Sequence, residues 1–125
     1  MTDRPRMQLT ATVLDAPDPV ALADFYHRLL GWPVARSEAT WAKLTAPGGA
    51  ALSFQLEPEY VPPSWPSTSD RQQMQLHLDI EVDDLVAAAA HAESIGATLA
   101  HFQPQDDVRV YLDPVGHPFC LWVRT

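Results

Sequence analysis

The chain has 125 residues, 46 % of them hydrophobic and 19 % charged, which suits one globular domain with a real core and excludes a disordered segment. Its formal charge of −8, with only eight scattered Lys and Arg, excludes a nucleic-acid partner, because phosphate binding needs clustered cations. A lone cysteine, Cys120, excludes an internal disulfide and fits a reducing compartment. No apolar run approaches the roughly 20 residues that span a bilayer, and the opening MTDRPRMQLT lacks the apolar stretch of a secretory signal. A cytoplasmic protein without a membrane partner is expected.

Residues 8–15 (QLTATVLD) alternate and predict a strand. Asp18-Pro19 supplies a helix N-cap followed by proline in the first turn. Leu22, Phe25, Tyr26, Leu29 and Leu30 then recur at three- and four-residue spacing as one helix face, which Gly31 closes. Strands are predicted near 33–37 and 40–45, and a Pro47-Gly48-Gly49 turn leads into a third at 50–57. The stretch 58–66 (PEYVPPSWP) holds too much proline for a helix or a central strand and reads as part of a linker over 58–73.

The second half repeats the order. Residues 75–82 (QLHLDIEV) alternate, with Leu76, Leu78, Ile80 and Val82 on one face. Asp83-Asp84 opens a helix whose face is Leu85, Ala88, Ala89, Ala92 and Ile95, and Gly96 ends it. Strands follow near 98–103 and 107–112, and Asp113-Pro114-Val115-Gly116 turns into a last strand at 118–124. Strand, helix and three strands, occurring twice, indicate a duplicated βαβββ module. The expected organisation is a single domain over 1–125, with module one at about 8–57 and module two at about 74–125.

Three segments now carry a resemblance. The helix DFYHRLLGW at 24–32, the strand opening HLDIEVDDL at 77–85 and the closing DPVGHPFCLW at 113–122 resemble signatures of the vicinal-oxygen-chelate superfamily, which includes glyoxalases, dioxygenases and bleomycin-resistance proteins. The resemblance implies an α+β fold whose curled mixed sheets form a barrel-like cup with the helices outside, commonly in a homodimer. It also implies metal ligands on the first and last strands of each module. Those positions are Ala11 and His77, each seven residues before its Asp, and Ser53 and Cys120, each four residues after its turn glycine.

Alanine has no donor and neutral serine is a poor ligand, so His77 with one thiolate makes only half a tetrahedral site. Gln55 and Asp79 share the same faces by alternation and could complete a shifted site. Apart from His77 as a candidate ligand, no metal or other cofactor is expected; the alternative is Zn, Ni, Mn or Fe. Cys120, within FCLWV, reads as an inert buried thiol. His117 beside Pro118 reads as structural, His27 and His91 as solvated on helix surfaces, and His101 has no ligand partner at metal spacing.

With the metal set aside, the expected lining of the cup is aromatic and lightly polar. Trp122 shares a strand face with Cys120, Trp41 and Tyr111 occupy comparable middle strands, and Tyr60 and Trp65 sit on the linker. Such walls suit flat ligands through stacking. The sequence thus points to binding or sequestration of a small molecule without metal, an aromatic antibiotic being one candidate and no catalytic residue being assigned. The ligand-contacting set is His77, Asp79, Gln55, Ser53, Trp41, Trp65, Tyr60, Tyr111, Cys120 and Trp122. The alternative is a metal-dependent lyase, isomerase or dioxygenase with an atypical site.

Overall fold

A computed structural model describes residues 4–124; Met1 to Asp3 of the N-terminal stretch and Thr125 of module two lie outside the described residues. Module one comprises β1 (Ala11–Ala16), α1 (Pro19–Leu30), β2 (Val34–Glu38), β3 (Trp41–Leu44) and β4 (Ala51–Leu56). Module two repeats it as β5 (Leu78–Glu81), α2 (Leu85–Ser94), β6 (Thr98–Leu99), β7 (Val108–Leu112) and β8 (Pro118–Trp122). Both helices start as their sequences require, Asp18 accepting from Ala21 N and Asp84 from Ala87 N. Gly31 closes α1 in the left-handed region at φ 76°. Among the described residues no helix is long and apolar enough to cross a membrane.

Each module builds a four-stranded mixed sheet, in the order β1-β4-β3-β2 and β5-β8-β7-β6. The first and last strands of each module run parallel and the remaining neighbours antiparallel. The expected barrel-like cup is not formed. Both sheets are open from edge to edge, and no described strand of one bonds to a strand of the other. Closing a barrel needs an unbroken ladder with matched stagger, whereas here β6 contributes two residues only.

The shortness of β6 has a local cause. The Gln103 side chain takes both backbone groups of Val110: Val110 N donates to Gln103 Oε1 at 2.8 Å, and Gln103 Nε2 donates to Val110 O at 2.8 Å. Ala100 N also donates to Val110 O at 3.0 Å, and past that bond the side-chain amide stands where the strand predicted at 98–103 would have continued. The strands predicted at 8–15 and 75–82 also contract, to Ala11–Ala16 and Leu78–Glu81.

The modules are joined through their helix-bearing sides. One hydrophobic cluster includes Leu14, Phe25, Tyr26 and Phe54 of module one and Ala92, Tyr111, Phe119 and Leu121 of module two. Tyr26 stacks on Phe54 with centroids 5.8 Å apart and meets Phe119 edge-on at 6.2 Å. Its hydroxyl donates to Asp113 Oδ2 at 2.8 Å in the turn before β8. Asp113 is 3 % exposed, and it also accepts from His117 Nδ1, His117 N and Val115 N. Burial, then the adjacent Asp113 carboxylate, holds the Tyr26 hydroxyl well above its ordinary pKa, so it serves as a neutral donor.

The linker is pinned to module two. Tyr60 Oη donates to Val115 O at 3.0 Å and Trp65 Nε1 to Phe102 O at 2.9 Å. Pro62 lies so close to the turn that a Cβ on Gly116 would stand 2.8 Å from Pro62 Cβ, at a φ of 100° that already favours glycine. Replacing Tyr26 by Phe removes the one donor that reaches Asp113 from module one. We expect Tyr26→Phe to lower stability by about 2 kcal/mol, the range for a lost bond to a buried charged group, measured by urea unfolding. A change below about 0.5 kcal/mol would show that the junction rests on apolar packing alone.

Candidate metal centre

The parallel pairing of β5 with β8 sets Asp79 opposite Cys120 and Glu81 opposite Trp122. Alternation then brings His77 to the same face, two residues before Asp79. His77 Nε2 lies 3.1 Å from Asp79 Oδ1. One donor atom each from His77, Asp79 and Cys120 lies within 4.8 Å of the others. These side chains line a cleft of about 270 Å³, together with Gln105, Asp107 and Trp122. His77 and Asp79 keep side-chain exposures of 39 % and 63 %, so the donors face an open approach. Glu81, next along the face, is engaged by Arg124 at 2.9 and 3.2 Å, which lowers its carboxyl pKa.

Cys120 is half-buried. Desolvation by burial, then the Asp79 carboxylate beside it, pushes the thiol up to about 11. Nucleophilic cysteines need the opposite shift. We expect iodoacetamide to label Cys120 at pH 7 at least about tenfold more slowly than a free thiol of ordinary pKa, with the rate still climbing above pH 9. A plateau near pH 8 in the rate profile would contradict the burial account.

Module one offers no matching donors. Ala11 stands at its first-strand position, and Ser53 lies between Val13 and Lys43 on neighbouring strands. Ser53 is 1 % exposed and its hydroxyl has no hydrogen-bond partner. Gln55 sits between Asp15 and Trp41, its Nε2 3.5 Å from Asp15 Oδ1, in the other sheet from His77. The shifted site therefore gathers Asp79 and leaves Gln55 out.

The aromatic residues separate in the same way. Trp122 lines the His77 cleft. Trp41 is half-buried on module one's sheet. Tyr111 shares the opposite face of module two with Phe119, is 1 % exposed and donates its hydroxyl to Glu93 on α2. Trp65 packs against Phe102 at 6.2 Å, and Tyr60 against His117 at 5.2 Å. His27 is half-buried with Nδ1 2.7 Å from Trp32 O, whereas His91 stays exposed as read, with Nε2 3.0 Å from Arg28 O. Sequence reasoning passed over Asp107 and Gln105, which approach the cleft from the loop before β7; no periodicity marks a loop residue. It also passed over Asp113, although an Asp four residues before His117 was a visible signal.

The donor set fits a divalent metal. Imidazole, carboxylate and thiolate together supply three protein ligands, and the open cleft leaves room for a fourth, exchangeable one. The sulfur and nitrogen donors suit Zn, Ni or Fe better than Mn.

A duplicated βαβββ fold with donors on the paired first and last strands defines a class of protein. A family profile described as a glyoxalase-like domain matches residues 11–122. The chain belongs to that family, within the vicinal-oxygen-chelate superfamily. None of the curated proteins compared with the chain matches it. Among solved structures, a glyoxalase/bleomycin resistance protein/dioxygenase family enzyme from Burkholderia phytofirmans PsJN superposes with a TM-score of 0.70 at 20 % identity, covering 94 % of this chain and 98 % of its own. A glyoxalase-related enzyme from Fulvimarina pelagi gives 0.70 at 17 % identity, covering 95 % and 89 %. A lactoylglutathione lyase from Agrobacterium tumefaciens gives 0.62 at 17 %, covering 96 % of each chain. At these identities the likeness establishes the fold alone.

Proposed function

We propose that the chain is a metal-dependent enzyme of the glyoxalase superfamily, a lyase, isomerase or dioxygenase, whose atypical centre is His77, Asp79 and Cys120. The convergence of these three donors within 4.8 Å at an open cleft carries the reading. A metal bound there would act as a Lewis acid toward a substrate oxygen or a water. Trp122 supplies a flat wall for the substrate, and Asp107 and Gln105 supply polar groups at the rim. The open sheet edges and the exposed Met7, Leu9 and Val34 support a homodimer in which a second copy completes the enclosure. The single cysteine supports a cytoplasmic setting.

A second reading is metal-free binding or sequestration of an aromatic small molecule in the same cleft. It is supported by the lack of donors at Ala11 and Ser53 and by a thiol that burial keeps protonated. Metal analysis separates the two. The enzyme reading expects one Zn, Ni or Fe per chain after supplementation, lost in His77→Ala and in Cys120→Ser. Because binding must displace the thiol proton, affinity should rise by up to about tenfold per pH unit between pH 6 and 8. Wild-type protein that stays empty after supplementation would reject the enzyme reading and leave the metal-free one.

A further inference from the structure

A larger cleft than the one at His77 lies elsewhere in the described structure. It encloses about 570 Å³ between β1, the linker and the turn before β8. His117 lines it, with a side-chain exposure of 16 %. Its Nδ1 is turned onto the fully buried Asp113 carboxylate at 2.8 Å, which fixes both the ring's orientation and the nitrogen that carries the proton. Nε2 makes no hydrogen bond among the described residues and is the nitrogen left to the cleft. A histidine held by a buried carboxylate at the wall of a cavity is the arrangement in which an imidazole presents a fixed acceptor to a ligand.

The rest of the lining says what that acceptor would meet. Asp15, Glu57 and Glu59 contribute three carboxylates, and among the described residues none is paired with Lys or Arg and no Lys or Arg lines the cleft. Tyr60, tilted against His117, has already donated its proton to Val115 O, so toward the cleft its oxygen is an acceptor as well. Val13 and Leu76, exposed by 42 % and 49 %, supply apolar surface beside these groups. Apart from glutamine amides, the polar side chains lining the cleft can only accept. An uncompensated negative concavity with apolar walls concentrates organic cations and repels anions.

We propose that this cleft is a binding site for an organic ammonium compound, whose N–H groups are taken by His117 Nε2 and the Glu57–Glu59 rim while its apolar body lies on Val13 and Leu76. The site is separate from the metal centre and does not depend on it.

The test uses the whole chain in EDTA, which empties any metal centre, with 2-phenylethylammonium as the probe and 3-phenylpropionate and 2-phenylethanol as anionic and neutral counterparts. Backbone amide NMR titration should give saturable shifts around Glu59, Val61, Leu76 and His117 with the ammonium. The same residues should shift at least about tenfold more weakly with the other two, as expected for loss of a charge-assisted hydrogen bond. His117→Asn keeps an N–H for Asp113 but loses Nε2, and Glu59→Gln removes an exposed charge. Each should weaken the ammonium about tenfold, with the unfolding midpoint of Glu59→Gln unchanged. Equal response to all three probes, shifts confined to other surfaces, or full affinity in both variants would overturn the proposal.

Discussion

A carboxylate withdrawn from water is tolerable only when its lone pairs are filled by well-placed donors, and at Asp113 four donors fill them. Two come from backbone N–H groups of the following turn, one from the His117 ring and one from Tyr26 on the other module. The turn is thereby shaped, α1 is tied to the start of β8, and the pairing of β8 with β5 follows from where β8 begins. That pairing places Cys120 opposite Asp79. The geometry of the candidate donor cluster thus rests, several residues away, on a buried carboxylate outside it. Were Asp113 apolar, the turn and the junction would lose their common partner, and Tyr26 would become a buried hydroxyl without an acceptor.

Duplication has left the modules unequal. Both have an Asp N-cap, a glycine after the helix and a parallel first and last strand. Only module two has chemistry-bearing side chains at the equivalent positions. In module one the space opposite Val13 is filled by Ser53, whose unpartnered hydroxyl costs stability without visible return. Module one instead contributes Val13 and Asp15 to a wall of the larger cleft, which Leu76 and His117 of module two also line.

Much of this is legible in the sequence. The helix caps, the helix faces and the order of elements follow from Asp18, Asp84, Gly31, Gly96 and local periodicity, because those features act over a few residues. His77 and Cys120 were placed by counting from the caps and turns, and Asp79 followed by alternation. What local pattern could not supply was the relation between distant segments. Tyr111 looked like a cup residue because it sits on a middle strand comparable to that of Trp41, yet register with Phe119 turned it toward α2. The expectation of a closed cup came from resemblance rather than from residues, and nothing in the local pattern reports whether sheet edges meet. The engagement of Trp65 and Tyr60 by backbone oxygens of module two was equally invisible, since proline-rich segments carry no period.

The Gln103 amide has a consequence beyond shortening β6. A strand edge with free N–H and C=O groups is a template for unwanted pairing with other chains. Beyond Thr98–Leu99 the outer side of β7 would be such a template, but at Val110 the N–H is held by the Gln103 side chain and the C=O is shared by that side chain and Ala100 N. At the corresponding edge of the first sheet, β2 is exposed along its length and carries the paired charges Arg36 and Glu38. The two sheets therefore guard their margins by different means, one by occupying the ladder and the other by charging it, and each limits edge-to-edge self-association of an unclosed architecture.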